Sequence, residues 1–152
     1  MSLAPWILLA TLLALPNEVE RTPDGERTLV VVASAASRAE TLSPSEVRLS
    51  YLAVPVELDG SPVRPVLNQS DELLFEVFLQ KVMFLSADHY RRQLVARVFQ
   101  SGGARPPVVR ELGEVVSMLE EDPRRISYMW QSDAAELAGL KTIAVLWHGN
   151  PQ

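Results

Sequence analysis

The sequence of 152 residues contains no cysteine, which excludes disulfide bonds, thiol chemistry, lipoprotein attachment through cysteine and cysteine-based metal sites. It has only two histidines, His89 and His148, and neither belongs to a metal-ligand spacing or to a Gly-x-Ser-x-Gly nucleophile motif. These absences predict a protein that is not an enzyme and that holds no metal ion and no cofactor.

Basic charge is also scarce. The chain has 14 lysines and arginines against 19 aspartates and glutamates, which gives a net charge of -5. A nucleic-acid-binding surface needs a basic stripe that neutralises phosphates, and the sequence shows none. The composition therefore predicts no nucleic-acid partner, while a hydrophobic content of 47% is sufficient for a globular core.

One long apolar run is present, at the N-terminus. Residues 3–15 are almost wholly apolar, and a polar run follows at once. The apolar run is too short to span a bilayer comfortably, but its length fits the hydrophobic part of a signal peptide. The alternative is an N-terminal helix packed on the fold. We expect residues 1–16 to form a signal peptide or hydrophobic leader, residues 17–27 a linker, and the mature chain to be periplasmic without a transmembrane span.

A strand, a polar loop and a buried helix are predicted in succession over residues 62–83. Apolar positions two residues apart over residues 63–67 indicate the strand, and Asn68-Gln69-Ser70 then breaks the pattern. Helical spacing of apolar residues begins after Asp71, so Ser70 is the expected N-cap. In open α/β sheets, ligands bind where a strand's carboxyl end faces a helix N-terminus. Asn68, Gln69 and Ser70 are therefore candidate ligand-binding residues.

The other segments complete a mixed α/β pattern over residues 28–150. The β-branched run at residues 28–33 predicts a strand covered on both faces. Ser43, Pro44 and Glu46 predict a capping box that starts the first helix. Further helices are predicted over residues 87–100, 109–121 and 133–138, and further strands over residues 126–130 and 141–147. This order implies one domain of the α/β class, a small mixed sheet with helices on its faces.

Five short motifs follow one another in a fixed order between residues 42 and 129. They lie at residues 42–47 (LSPSEV) with 51–52 (YL), 78–83 (FLQKVM), 86–92 (SADHYRR), 98–107 (VFQSGGARPP), and 115–119 (VVSML) through 126–129 (ISYM). Their order and spacing resemble those of phosphate ABC-transporter substrate-binding proteins, the short PstS-like members of the type 2 periplasmic-binding-protein group. The resemblance implies an exported single lobe with phosphate or another oxyanion as ligand and a membrane transporter as partner.

The resemblance also implies ligand contacts in the loop after the first strand. Ser34, Ser37 and Arg38 lie there, and their hydroxyls and the backbone amides would hold an oxyanion. The alternative is an ordinary loop between a strand and a helix.

Two functions stay open because the loop after the second strand lacks glycine and arginine. Asp71 and Glu72 lie in the first helical turn, where they would repel an anion. Two unit charges about 4 Å apart cost roughly 4 kcal/mol at an effective dielectric near 20. The first function is a substrate-binding-like protein for phosphate or another oxyanion in an ABC-type uptake system. The second is a non-enzymatic interaction or adaptor subunit of an envelope complex that has lost solute binding.

Overall fold

A computed structural model describes residues 25–151. The expected leader, residues 1–16, and most of the expected linker, residues 17–27, lie outside the described residues. In chain order the strands are β1 (Arg27–Ser34), β2 (Glu57–Leu58), β3 (Ser61–Pro62), β4 (Arg64–Pro65), β5 (Leu67–Asn68), β6 (Val108–Val109), β7 (Arg125–Trp130) and β8 (Leu140–Gly149). The helices are α1 (Pro44–Tyr51), α2 (Glu72–Val77), a π-helix (Phe78–Met83), α3 (Ala87–Ser101), α4 (Leu112–Glu121) and α5 (Gln131–Ala135).

β4 and β5 are two halves of one extended segment that changes partner at Val66. β4 pairs in parallel with β7, and β5 pairs in parallel with β6. The amide of Val66 donates to the carbonyl of Ile126 at 2.8 Å, and the next amide, of Leu67, donates to Pro107 on the other side at 2.9 Å. Across the fold the order is therefore β6, β4/β5, β7, β1, β8, and β1 runs antiparallel to both of its neighbours.

The central strand β1 is covered on both faces, as predicted. Leu29 and Val31 belong to a core formed with α1, α2, the π-helix and α3, whereas Val30 and Val32 belong to a second core formed with α4. All of these valine and leucine side chains have 0% exposure. The predicted fold class, a small mixed sheet with helices on its faces, is confirmed.

The aromatic centre of the larger core holds the extended segment in place. The ring of Phe78 stacks on Tyr128 with centroids 3.8 Å apart, and Tyr51 meets Phe78 edge-on at 4.9 Å. The hydroxyl of Tyr51 donates to the carbonyl of Val66 at 3.0 Å. Burial raises the pKa of both the Tyr51 and the Tyr128 phenol, so they stay neutral hydrogen-bond donors.

The first residues of the helices show where the neighbouring sequence predicts a helix start correctly and where it does not. The capping box is confirmed, because Glu46 N donates to Ser43 Oγ at 3.2 Å and Ser43 N donates to Glu46 Oε2 at 2.8 Å. The helix predicted over residues 109–121 begins only at Leu112, because Val109 pairs with the second strand segment in β6. The helix predicted over residues 133–138 lies at Gln131–Ala135.

Candidate functional site

The carboxyl ends of β5, β6 and β7 lie at one edge of the sheet, where ligands bind in open α/β folds. Three of the six candidate residues are there. Asn68 is completely buried, while Gln69 and Ser70 are partly exposed in the loop that leads into α2. Trp130, the last residue of β7, is buried beside them.

Asn68 uses its amide group inside the fold. Its Nδ2 donates to the carbonyl of Tyr128 at 3.0 Å, and the Tyr128 hydroxyl donates back to the Asn68 carbonyl at 2.7 Å. Its Oδ1 accepts from both the amide and the hydroxyl of Ser70, at 3.0 and 2.6 Å. The reciprocal pair fastens the strand end to β7, and it occupies the polar groups that the sequence offers to a ligand.

The N-cap of α2 is Asp71, so the prediction of Ser70 as the cap is wrong. Asp71 Oδ1 accepts from the amide of Leu74 at 3.1 Å, and its Oδ2 accepts from the indole nitrogen of Trp130 at 3.0 Å. Serine and aspartate are equally good caps by sequence, so the local pattern does not choose between them. The choice follows from two contacts, the Trp130 indole to Asp71 and the Ser70 hydroxyl to Asn68.

The edge of the sheet at α2 is acidic. The pKa of Asp133 is raised by burial and then by the negative charges of Asp71 and Glu136, while Arg27 lowers it. The guanidinium carbon of Arg27 lies 5.0 Å above the Trp130 ring. A helix N-terminus attracts anions through its free amides and dipole, but here a carboxylate of the chain already occupies that position.

The other three candidates, Ser34, Ser37 and Arg38, lie at the opposite end of the sheet. Because β1 is antiparallel to β7, Ala33 pairs with Ile126 while Leu29 pairs with Trp130. The pair Ala33–Ile126 lies four strand residues, about 13 Å, from the pair Leu29–Trp130. The two groups of candidates therefore do not meet at one ligand.

The loop after β1 is held by its own hydrogen bonds. Ser34 Oγ accepts from the amide of Ala36 at 3.1 Å, and Ser37 Oγ accepts from the amide of Ala39 at 3.1 Å. The ammonium group of Lys141 donates to the Ser37 carbonyl. Both serines are buried, and Arg38 is exposed.

Arg38 lines a cleft of about 590 Å³ between this loop, the β2–β3 hairpin and the turn from α4 to β7. Arg124 and Asp122 line its other wall, and Asp122 Oδ2 also accepts from Arg64 at 3.0 Å. The side-chain hydrogen bond from Arg124 lowers the pKa of Asp122 to about 2. The cleft is lined by two arginines, Arg38 and Arg124, and by three carboxylates, Asp59, Glu121 and Asp122. It therefore has no excess of positive charge for an anion.

Within residues 25–151, no buried side-chain nitrogen or oxygen lacks a hydrogen-bond partner. In the same part of the chain, no group of three or more histidines and acidic residues is placed to hold a metal ion. No helix in this range is long and apolar enough to cross a membrane.

No protein-family model and no curated protein matches this sequence. Solved structures do match its fold. An ABC-type phosphate transport receptor from Vibrio cholerae superposes with a TM-score of 0.57 at 9% identity, over 78% of this chain and 46% of that chain. PstS from Borrelia burgdorferi gives 0.56 at 13% identity, over 79% and 47%. A putative phosphate ABC transporter substrate-binding protein with bound phosphate from Clostridium perfringens gives 0.51 at 8% identity, over 84% and 58%.

At these identities the likeness shows the fold alone. The fold matches part of a phosphate-transport binding protein, and the chain spans about half the length of the proteins that it matches. The coarser part of the resemblance is therefore confirmed. The matched proteins are binding proteins rather than enzymes.

Proposed function

We propose that this protein is an exported, non-enzymatic lobe that works in the bacterial periplasm as an interaction or adaptor subunit of an envelope complex. In this proposal it keeps the fold of a substrate-binding protein of an ABC-type uptake system, binds another protein of the complex and does not capture a free solute. The observation that carries the proposal is the position of Asp71, which caps α2 and accepts the indole hydrogen bond of Trp130.

The charge of Asp71 is decisive because it lies where an anion would bind. A phosphate at the start of α2 would approach the carboxylate to about 4 Å, and the repulsion would cost roughly 4 kcal/mol at an effective dielectric near 20. That cost corresponds to about a thousandfold loss of affinity. Rotation of Asp71 away from the helix would break two hydrogen bonds, of which one is to the buried Trp130.

A second candidate function is the capture of phosphate or another oxyanion by the same edge of the sheet. It is favoured by the three solved structures described above, which are phosphate-transport binding proteins, and by the partial exposure of Gln69 and Ser70 at the carboxyl end of the strand. Ser34, Ser37 and Arg38 are not part of this candidate site, because they lie at the other end of β1.

Isothermal titration calorimetry of the purified protein with phosphate separates the two candidates. We expect no saturable heat at millimolar phosphate, and the same result with sulfate. A one-to-one isotherm with phosphate would support the second candidate and overturn the first. Mass spectrometry of the N-terminus of the protein isolated from the bacterial envelope tests export, since removal of a leader near residue 16 would support it.

A further inference from the structure

One face of α3 exposes an apolar stripe bordered by arginines. Among the described residues, Phe99 is 91% exposed and Val95 is 42% exposed, and the two lie one helical turn apart. With Ala96 between them and Arg91 and Arg92 at the N-terminal side, they line a shallow groove on the helix surface.

The stripe is not part of the core of the lobe. α3 packs on the fold through Tyr90 and Leu94, both buried, and the Tyr90 hydroxyl donates to the carbonyl of Tyr51 at 2.7 Å. Phe99 lies about 140° around the helix from Leu94, on the opposite side. The helix therefore already has a buried face, and Phe99 and Val95 form a separate surface.

The groove is basic although the protein as a whole is acidic, with a net charge of -5. Residues 87–105 contain four arginines and a single acidic residue, Asp88. Asp88 pairs with Arg91 at 3.2 Å, and no ion pair is found for Arg92 within residues 25–151. The surface thus combines arginine and aromatic side chains, which are the residue types that dominate protein–protein binding energy.

We propose that this α3 groove docks an acidic segment of a partner protein. An aliphatic or aromatic side chain of the partner contacts Val95 and Phe99, and its carboxylates contact Arg91 and Arg92. This inference rests on the proposed partner-binding function and assigns it a surface.

The charges and the size of the α3 groove favour this occupant over two others. A second copy of the chain would bring its own arginines to the contact. Arg91 and Arg92 of both copies would then face only two aspartates, Asp88 of each copy. An anionic membrane surface binds helices that present a large apolar face, whereas this groove presents Val95, Ala96 and Phe99 alone.

The test uses the full chain and a synthetic helical peptide with two leucines four residues apart, flanked by glutamates. A matched peptide has glutamine in place of every glutamate. We expect saturable binding of the acidic peptide in fluorescence anisotropy and at least tenfold weaker binding of the glutamine peptide. In NMR spectra of the protein, the acidic peptide should shift amide signals of α3 alone.

Phe99→Ser and Arg92→Glu should each weaken binding of the acidic peptide at least tenfold. Phe84→Ser is the control, because Phe84 is also an exposed phenylalanine, at 69%, and lies outside the groove.

Absence of peptide binding, or binding that Phe99→Ser leaves unchanged, would overturn the assignment of this surface. Two further results would show that the α3 groove binds something other than an acidic segment. Self-association in sedimentation that Phe99→Ser abolishes would identify a second copy of the chain, and binding to vesicles of anionic phospholipid that Phe99→Ser abolishes would identify a membrane surface. Phosphate calorimetry on the same samples keeps the two proposals distinct. A phosphate isotherm contradicts the proposed function, whereas failure of the peptide without a phosphate isotherm contradicts only the α3 groove.

Discussion

The indole nitrogen of Trp130 lies 3.0 Å from Oδ2 of Asp71 and donates a hydrogen bond to it across 59 residues of sequence. The other carboxylate oxygen of Asp71 accepts the amide of Leu74. One side chain thus joins the end of β7 to the start of α2 and places a negative charge at the helix N-terminus. The chain itself occupies the position that an anionic ligand would need.

The double role of Asp71 predicts a loss of stability when it is replaced. Asp71→Ala removes the cap of α2 and leaves the buried Trp130 indole without its acceptor, and we expect the free energy of unfolding to fall by about 2–3 kcal/mol. Urea denaturation followed by tryptophan fluorescence measures this change. Glu72→Gln is the control, since Glu72 is exposed in the same turn, and a loss as large as that of Asp71→Ala would contradict the prediction.

The Asp122 carboxylate in the turn from α4 to β7 is expected to make the free energy of unfolding depend on pH in the acidic range. The pKa of Asp122 is about 2 in the folded protein, below the ordinary value of 3.8, chiefly because Arg124 donates a hydrogen bond to its carboxylate. The stability that the ionised Asp122 carboxylate adds to the fold is therefore present above about pH 4 and is lost as the pH falls from about 4 to about 2.

We expect Asp122→Asn to lower the free energy of unfolding at pH 7 by about 1 kcal/mol, because the guanidinium partners are about half exposed. The variant should also lose less stability than the natural chain between pH 4 and pH 2. Denaturation at a series of pH values provides the measurement. Asp88→Asn, which affects an exposed pair, should change neither quantity.

The aromatic stack predicts a cost for changing ring shape in the core. Phe78→Leu removes a ring that lies 3.8 Å from Tyr128 at an interplanar angle of 5°, and we expect a loss of about 1–2 kcal/mol. Thermal unfolding monitored by circular dichroism is a suitable assay. Phe84→Leu is matched in chemistry but affects a ring that is 69% exposed, and it should cost less than about 0.5 kcal/mol. Equal losses for the two variants would contradict the packing described here.

Two glycines should respond to alanine in opposite directions. Gly102 ends α3 with φ of 69°, so Gly102→Ala is expected to destabilise the protein by about 1 kcal/mol. Gly113 lies inside α4, and a Cβ there would meet nothing within 4 Å. Gly113→Ala should therefore stabilise the protein by about 0.5–1 kcal/mol. Chemical denaturation of the two variants side by side shows whether the signs differ.

The elements that could be predicted from the sequence are those fixed by neighbouring residues. The valine run of β1 and the cap Ser43 each act within a few positions, and both lie where the sequence predicts them. The two-residue strand β6 was not predicted, because it forms only through pairing with a segment 41 residues earlier, as Leu67 opposite Val108 shows.

The candidate site was predicted less well because strand direction is not visible in a residue pattern. Ser34 and Asn68 each follow a strand, and the sequence alone places both groups near a ligand. The structure separates them, since β1 runs opposite to β4 and β5. The role of Asp71 likewise depends on Trp130, which no local pattern connects to it.

We propose that Asp71 closes the loop before α2 to anions, and amide NMR of the full chain during phosphate titration tests this closure at the residues concerned. We expect the amide signals of Gln69, Ser70 and Asp71 not to move as phosphate rises into the millimolar range. A saturable shift of these amides, with one phosphate bound per chain, would contradict it and establish this edge of the sheet as a phosphate site.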